Sequence, residues 1–392
     1  MSLDYYNIES MLTTEEKLVK DSTKEFLDKE VKPLIVDAFQ EEKPLNLRKI
    51  APKMGSLGLI GGPVPEEYGG PGLSYIEFGL ICRELERVDS SIRSFVGVQS
   101  GLCMYPIWQF GSDEQKKTWL PQIAKGKKIA CFGLTEPNRG SDVAGLETVA
   151  KKEGDEWVIN GNKQWISEGS VADIAIVFAR TDKEGIKGFL VEKGTEGFTQ
   201  SFIDKKVSMR SGDVGALMFD DCRVPEDNVL QGITGQGTRQ IFMCFNQARY
   251  TISWGALGAA EDCYETALKY AKDRVQFGSS IASYQLVQEK LVKMLMEITK
   301  GQLLSYHLGR MMDDKKERHQ QISLAKKNNV SVARYCARVA RDILGANGVT
   351  LDYSPIRHMC NIEAVYTYQG TDDIHTLILG SDITGISAFT MR

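Results

Sequence analysis

The sequence of 392 residues predicts an α+β protein in the order helices, sheet, helices. Three observations lead to this prediction. Apolar residues recur at helical spacing up to about residue 128, short strand-like runs between turn residues follow, and helical spacing returns after about residue 236. The chain is therefore divided into an N-terminal helical segment (1–128), a middle β segment (129–236) and a C-terminal helical segment (237–392).

The N-terminal segment begins with the pattern of a capped helix. In Thr13-Thr14-Glu15-Glu16 a hydroxyl residue is followed three positions later by a glutamate, and an apolar period comes next. A second helix is predicted over 75–87, after loops marked by Gly61-Gly62-Pro63 and by the glycines and prolines of 69–72.

The middle segment is predicted to consist of short strands. Residues 157–166 place Asn160-Gly161 between two apolar runs, which predicts a hairpin with a tight turn. Further strands are predicted over 174–178, 188–191 and 216–219. Strands at this spacing, without helices between them, are typical of a small β-barrel or sandwich.

The C-terminal segment is predicted to be a set of long helices. One apolar face at helical spacing is formed by Val287, Leu291, Met294, Leu295 and Ile298. The charged run 313–318 predicts a solvated turn before the next helix.

Composition and charge exclude several classes of function. The net charge is −4 and charged residues make up 26% of the chain, so no surface for nucleic acid or for anionic lipid is predicted. Eight cysteines lie far apart without a C-x-x-C pair, and the chain has four histidines, which predicts reduced thiols and no metal site. Without a signal peptide or a membrane-length apolar run, the sequence predicts a cytoplasmic protein.

Four motifs, in order along nearly the whole chain, resemble those of the acyl-CoA dehydrogenase family. They are Cys131–Asp142 (CFGLTEPNRGSD), Trp165-Ile166-Ser167, Asp273–Gly278 (DRVQFG) with Gln285, and Leu344–Gly348 (LGANG). Small residues in the first motif let backbone N–H groups approach a pyrophosphate, and the arginine of the third is a charged phosphate donor. Each motif alone is more often a plain loop or a surface arginine, but four in family order favour the family.

The resemblance implies a fold and a cofactor. The expected fold has an N-terminal helical domain, a middle β-barrel domain and a C-terminal four-helix bundle, with FAD between the last two and four chains in a homotetramer. Contacts to FAD are then expected at Phe132, Leu134, Thr135, Gly140, Ser141, Trp165, Ile166, Ser167, Arg274, Phe277, Gln285, Leu344, Gly345, Gly348, Thr371 and Asp373.

The run 84–94 (ELERVDSSIRS) is similar to the glutaryl-CoA dehydrogenase branch, in which an Arg-Ser pair holds the distal carboxylate of the acyl chain. Arg93 and Ser94 stand at that pair, and a planar guanidinium suits a carboxylate. The alternative for Arg93 is an ion pair on a helix surface, although Glu84 and Glu86 lie too far back for i,i+4 spacing. The other substrate contacts that the resemblance implies are Ser141, Phe242, Asn246, Arg249 and Gly370.

Gln369 departs from the resemblance. In the glutaryl-CoA branch the residue between Tyr368 and Gly370 is the glutamate that removes the α-proton of the thioester, and a glutamine has no carboxylate. Its backbone N–H, which polarises the thioester carbonyl in the family, remains. The position on the opposite helix where other branches carry the base is Ala248. The nearby carboxylates, all weak candidates for the base, are Asp89, Asp372 and Asp373.

The resemblance implies FAD-dependent oxidation of an acyl-CoA, most like glutaryl-CoA, to an enoyl-CoA, with electrons passing to an electron-transfer flavoprotein. Decarboxylation of the product stays open. Two alternatives remain: a dehydrogenase for an unusual or cyclic acyl-CoA that uses another base, and a protein that binds flavin and acyl-CoA with little turnover. Gln369 is either native or a replacement. For a processed eukaryotic protein the expected compartment is the mitochondrial matrix.

Overall fold

The structure, a computed structural model, describes residues 4–234 and 237–389. The predicted boundary residue 236 and the chain ends 1 and 392 lie outside these residues, and the division into segments stays a prediction. The N-terminal helices are α1 (Thr14–Glu30), α2 (Lys32–Gln40), α3 (Leu47–Ser56), α4 (Tyr75–Val88), α5 (Ser90–Gly97), α6 (Tyr105–Phe110) and α7 (Asp113–Ala124), with a π-helical turn, Val98–Met104, between α5 and α6.

The two predicted N-terminal helices are confirmed. Thr13 Oγ1 accepts from the backbone N–H of Glu16 at 3.2 Å, and the Glu16 carboxylate accepts from the Thr13 N–H at 2.9 Å, which completes the capping box of α1. Ser74 and Glu77 form the same arrangement at the start of α4. Most of α4 is buried, because it packs between α1 and the long first helix of the C-terminal segment.

The middle segment is one seven-stranded sheet. Its strands are β1 (Ala130–Gly133), β2 (Val149–Glu153), β3 (Glu156–Ser167), β4 (Ile174–Thr181), β5 (Ile186–Glu192), β6 (Phe198–Phe202) and β7 (Val214–Pro225). Their order is β1-β4-β2-β3-β7-β6, with β5 paired to β4. The strands predicted over 174–178, 188–191 and 216–219 are confirmed as parts of β4, β5 and β7. The sheet has its own buried apolar cluster, which includes Trp157, Phe189 and Leu217.

The predicted hairpin at Asn160-Gly161 is wrong. Both residues lie inside the continuous strand β3, where the pairing with β7 shifts register between Ile159 and Gly161. Gly161 has φ +146°, and a methyl group there would lie 2.6 Å from Thr148 Oγ1. The glycine therefore serves a bulge and a close approach instead of a turn. The chain reverses earlier, at Gly154 (φ +64°), between paired residues Glu153 and Glu156.

The C-terminal segment is a helical bundle. It consists of α8 (Thr238–Asp273), α9 (Gln285–Asp313), α10 (His319–Ile343), α11 (Ser354–Thr367) and α12 (Asp372–Thr384), with a short ribbon of β8 (Val275–Gln276) and β9 (Ser279–Ser280) after α8. Leu291, Met294 and Ile298 of α9 are buried, which confirms the predicted apolar face. The run 313–318 connects α9 to α10, as predicted. Alanines let α8 and α10 approach closely: Ala256, Ala260 and Ala267 share a buried cluster with Ala333, Ala337 and Ala340.

Asp89 joins three parts of the fold. It lies between α4 and α5 in an extended conformation (φ −166°, ψ 142°) and is fully buried. Its carboxylate accepts from Ser211 Oγ at 2.8 Å, Arg357 Nη1 at 2.6 Å and Asn361 Nδ2 at 2.9 Å. Arg357 lowers the pKa of Asp89 against the opposing effect of burial. The residue thus connects the N-terminal helices to the β segment and to α11.

All eight cysteines are free thiols. Within residues 4–234 and 237–389, no helix combines the length and the apolar composition that a membrane crossing requires. The same residues contain no group of three or more His, Cys, Asp or Glu side chains that could hold a metal ion.

Candidate active site

A chain of aromatic and cationic contacts connects the sheet to the C-terminal helices. The ring of Phe132 on β1 lies 6.4 Å from the ring of Phe245 on α8, and Phe242 lies 6.0 Å from Phe245 on the same helix. The Arg249 guanidinium stands 5.4 Å from the centre of the Phe245 ring. From there Arg249 Nε donates to Gln369 O at 2.9 Å. The sheet edge at β1, the first turns of α8 and the loop after α11 therefore meet at one place.

The loop between α11 and α12 has an unusual backbone. Gln369 has φ +56° and Gly370 has φ +90°. A methyl group at Gly370 would lie 3.1 Å from His375 Nε2, so this position favours glycine for both its conformation and its space. Thr371 then caps α12 by accepting the N–H of Ile374 at 3.2 Å. The loop is therefore set by its own sequence and by the cap of the following helix.

Two basic side chains hold the carbonyl groups of this loop. Arg249 donates to the carbonyl of Gln369, and Lys326 Nζ, from α10, donates to the carbonyl of Gly370 at 3.0 Å. Burial lowers the pKa of Arg249 to about 10. Burial, and then the charge of Arg249, lower the pKa of Lys326 to about 7. In the described part of the chain neither Arg249 nor Lys326 forms an ion pair with a carboxylate, although Asp372 lies near enough to Lys326 to favour its charged form.

The side-chain oxygen of Gln369 is unsatisfied. Its Oε1 is buried and has no hydrogen-bond partner in the described chain. A buried polar atom without a partner is costly unless a ligand or water satisfies it. The amide can donate to or accept from such a ligand, but it has no group that takes up a proton near neutral pH.

The three nearby carboxylates are engaged or exposed. Asp372 forms an ion pair with Lys327, Asp373 is exposed at the first turn of α12, and Asp89 is bonded to Arg357. Ala248, the alternative position on α8, is buried and apolar. None of these residues supplies a free carboxylate beside Gln369.

Arg93 is buried, whereas the alternative considered from the sequence was an ion pair on a helix surface. Its Nε lies 2.5 Å from Glu86 Oε2, and its guanidinium also donates to the Tyr368 hydroxyl. Burial opposes the charged form of Arg93, and the Glu86 carboxylate favours it. The net effect is a raised pKa of Arg93. The seven-residue spacing exceeds one helical turn, but the break at Asp89 separates α4 from α5 and lets the two side chains meet. The Arg93 guanidinium therefore lies beside the residue that precedes Gln369.

The predicted FAD-contacting residues of the β segment form a partly open surface. The backbone N–H of Gln164 donates to Thr135 O at 2.8 Å, which places Thr135 beside Trp165. Trp165 has φ +62° and is 57% exposed, a conformation and exposure that a large aromatic residue rarely has without a partner. Gly140 has open space around it. These features fit a flat, anionic dinucleotide such as FAD.

A buried ion pair lies next to the loop that carries Thr135. Lys163 Nζ lies 2.8 Å from Glu136 Oε1 and 3.2 Å from the carbonyl of Leu134. Glu136 also accepts the N–H of Thr148 at 2.8 Å. The ion pair therefore connects β3 to the loop that carries Thr135. Among the other predicted contacts, Ser141 is exposed and Ser167 is half-buried, whereas the side chains of Phe132, Leu134 and Ile166 are buried and leave only their backbone for a ligand.

A second group of predicted FAD contacts lies far from this surface. Arg274, Phe277 and Gln285 follow the C-terminal end of α8, which has 36 residues. At about 1.5 Å per residue, Arg274 lies roughly 48 Å along the helix from Phe242. The side chain of Leu344 is buried, and a methyl group at Gly348 would lie 2.1 Å from Arg341 O, so Gly348 serves packing, whereas Gly345 is open. The structure does not bring the two groups together within one chain.

Three substrate contacts expected from the resemblance lie near Gln369: Arg93, Arg249 and Gly370. Sequence reasoning missed Lys326. Ser94, next to Arg93 on α5, is buried, and Asn246 on α8 is half-buried. Lys326 could have been noticed because it occupies a buried position of α10, between Ala325 and Asn329.

Comparison with known proteins identifies the family. Models of the acyl-CoA dehydrogenase N-terminal, middle and C-terminal domains match residues 13–127, 131–222 and 235–384. The chain belongs to the acyl-CoA dehydrogenase family. Human short-chain specific acyl-CoA dehydrogenase, a mitochondrial protein, is 33% identical over 371 residues, which cover 94% of this chain and 89% of the relative.

Solved structures confirm the fold class predicted from the sequence. A glutaryl-CoA dehydrogenase from Mycobacterium smegmatis matches with a TM-score of 0.96 and 46% identity over 99% of both chains. A second structure from that organism, in complex with FADH2, matches with the same TM-score and 42% identity over 99% of both chains. As an acyl-CoA dehydrogenase family member, this chain is an FAD-dependent oxidoreductase that acts on CH–CH bonds.

Proposed function

We propose that this chain oxidises a dicarboxylic acyl-CoA of the glutaryl-CoA class to an enoyl-CoA, with electrons passing to an electron-transfer flavoprotein. The observation that carries the substrate class is the buried guanidinium of Arg93 beside Tyr368. A desolvated arginine fork binds a carboxylate strongly and in a fixed orientation. Similarity to the Mycobacterium smegmatis glutaryl-CoA dehydrogenase supports the same choice.

Each residue of the site has a part in this reaction. Arg93 and Ser94 bind the distal carboxylate, and the backbone N–H of Gln369 donates to the thioester carbonyl, which acidifies the α-proton. Arg249 and Lys326 hold the loop carbonyls, so the N–H keeps its direction. FAD, when bound by the residues around Thr135 and Trp165, supplies the acceptor for the β-hydride. Decarboxylation of the enoyl product is a further step that the same carboxylate site would permit.

Arg93→Met should abolish the preference for a dicarboxylic chain. The parent protein should bind glutaryl-CoA more tightly than butyryl-CoA, because losing a charge-assisted contact in a buried site costs about 1.5–3 kcal/mol. Titration of the flavin absorbance with both thioesters measures the two affinities. Equal affinities in the parent would remove Arg93 from the substrate site.

A matched control separates substrate binding from folding. Arg93→Met leaves Glu86 buried without its partner, which destabilises the helix pair. Glu86→Gln/Arg93→Met removes both charges and should fold with normal FAD content, yet still lack the preference for glutaryl-CoA. A preference that persists in this double variant would assign the carboxylate to another residue.

The proposal includes a homotetramer in which FAD lies between chains. Arg274, Phe277 and Gln285 follow the end of α8 opposite to the end that meets β1, so a second chain is proposed to supply one of the two groups. Phe277 is 96% exposed, which suits a residue covered by a second copy. A reducing compartment such as the cytoplasm is proposed because all eight thiols are free.

Phe277→Asp should lower both FAD content and oligomer size. A charge at an apolar contact between copies costs affinity, and FAD would lose part of its site. The ratio of flavin to protein absorbance, together with light scattering, measures both effects. A variant monomer that still binds FAD as tightly as the parent would refute shared sites.

A further inference from the structure

A basic side chain reaches the loop that lacks a carboxylate. Lys326 Nζ donates to the carbonyl of Gly370 at 3.0 Å, and the residue is 1% exposed. Gly370 directly follows Gln369, whose Oε1 is buried without a partner in the described chain. The Lys326 amine of α10 therefore bonds the residue next to Gln369, whose amide oxygen is unsatisfied, in the loop where the family base is expected.

The surroundings of Lys326 favour its neutral form. The charged and titratable groups that face it are Arg249 of α8, Arg93 of α5, Lys327 of α10, and Asp372 and His375 of α12. Burial and then Arg249 lower the pKa of Lys326 to about 7, whereas Asp372 opposes them and is itself paired with Lys327. Burial, with Lys326 and Arg249, lowers the pKa of His375 to about 3, so His375 adds no charge at neutral pH.

We infer that Lys326 accepts the α-proton of the bound acyl-CoA, directly or through one bridging water. The α C–H bond breaks, its proton joins the lone pair of the Lys326 amine, and the electron pair of the bond stays on the α-carbon. The thioester becomes an enolate, and the amine becomes an ammonium group. This inference rests on the proposed function, because it needs an acyl-CoA at Gln369. Buried lysines with lowered pKa values serve as general bases in other enzymes.

Exchange of the α-protons of acetyl-CoA in D2O tests the inference without oxidation. Acetyl-CoA has no β-carbon, so it can form an enolate but cannot lose a hydride. The parent holoenzyme should exchange its α-protons for deuterium, at a rate that rises with pH through about 7 as the amine becomes neutral. Nuclear magnetic resonance follows the loss of the methyl proton signal.

Two variants identify the base. Lys326→Arg keeps a donor for the carbonyl of Gly370 but stays protonated, so exchange should fall at least about tenfold. Lys300→Met removes an exposed lysine of α9 that pairs with Glu297, outside the site, and should leave exchange unchanged. Exchange in Lys326→Arg at the parent rate, or an equal fall in Lys300→Met, would overturn the assignment.

A rescue experiment excludes simple damage to the pocket. Gln369→Glu/Lys326→Arg supplies a carboxylate at the loop and should recover exchange. If it stays as slow as Lys326→Arg alone, the loss reflects a distorted site and the inference fails. Calorimetric titration distinguishes failure of this inference from failure of the proposed function. Binding of acetyl-CoA to the parent without exchange refutes Lys326 as the base, whereas absence of binding by both acetyl-CoA and glutaryl-CoA refutes the proposed function and the inference with it.

Discussion

Gln369→Glu should raise the rate at which glutaryl-CoA reduces the bound flavin at least about tenfold; the full contribution of a general base, about 10²–10⁴-fold, is expected only against Lys326→Arg, which lacks the amine base. The backbone of the loop is fixed by Arg249, Lys326 and the cap at Thr371, so the new carboxylate should occupy the space of the present amide. Burial raises the pKa of such a carboxylate, while the two adjacent cations lower it. We therefore expect the pKa of the new carboxylate to suit a base that must take up a proton and later release it.

Stopped-flow absorbance of the oxidised flavin measures this gain under anaerobic conditions. Gln369→Met, which has similar length and no proton acceptor, is the matched control and should reduce no faster than the parent. If the parent already reduces at the rate of Gln369→Glu, position 369 is not where the proton is removed. If neither protein is reduced by glutaryl-CoA, the substrate class is wrong.

The same substitution should change the role of Lys326. A carboxylate beside the Lys326 amine favours its charged form, so its pKa should rise above about 7. The pH dependence of acetyl-CoA exchange should then follow the carboxylate and shift to lower pH. A pH profile that is identical in the parent and in Gln369→Glu would contradict a shared electrostatic site.

Asp89→Ala should destabilise the protein by about 3–5 kcal/mol, the usual cost of removing one partner of a buried ion pair. The substitution leaves Arg357 buried without its carboxylate, and it also removes the acceptor for Ser211 and Asn361. Because these partners come from the β segment and from α11, the loss should affect the whole fold. Chemical denaturation, followed by circular dichroism, measures the free energy of unfolding.

Two further variants serve as references for the change in the free energy of unfolding. Asp182→Ala removes an exposed carboxylate from the loop after β4 and should change the free energy of unfolding by less than about 0.5 kcal/mol. Asp89→Asn keeps the size and two acceptor lone pairs and should lie between the two. A cost for Asp89→Ala as small as that for Asp182→Ala would mean that Arg357 finds another partner or reaches water.

Regular elements were predictable from sequence because their periods are local. The capping box at Thr13 and the apolar face of α9 depend on residues within a few turns of each other. The hairpin prediction failed because Asn160-Gly161 also suits a bulge, and the choice depends on Thr148, the residue before β2, which lies against Gly161. A turn signal alone does not reveal what lies across the sheet.

The site was predictable where it depends on motifs and not where it depends on distant contacts. Gln369 was found from its flanking residues. The ion pair between Arg93 and Glu86 was not, because it requires the break in the helix at Asp89. Lys326 was missed for a related reason: the residue that it bonds, Gly370, lies 44 positions along the chain. The packing role of Gly348 likewise depends on the three-dimensional path of α10.

The left-handed backbone of Gln369, with φ +56°, limits which amino acids can occupy this position. Valine, isoleucine and threonine are strongly disfavoured there, because their branched Cβ clashes with the backbone. Unbranched residues pay a smaller cost, and glutamate pays about the same as glutamine. The codons of these two amino acids differ in their first base alone. A single base change therefore converts Gln369 to glutamate, or glutamate to glutamine, without changing the backbone of the loop. Replacement by a β-branched residue would require a different loop conformation.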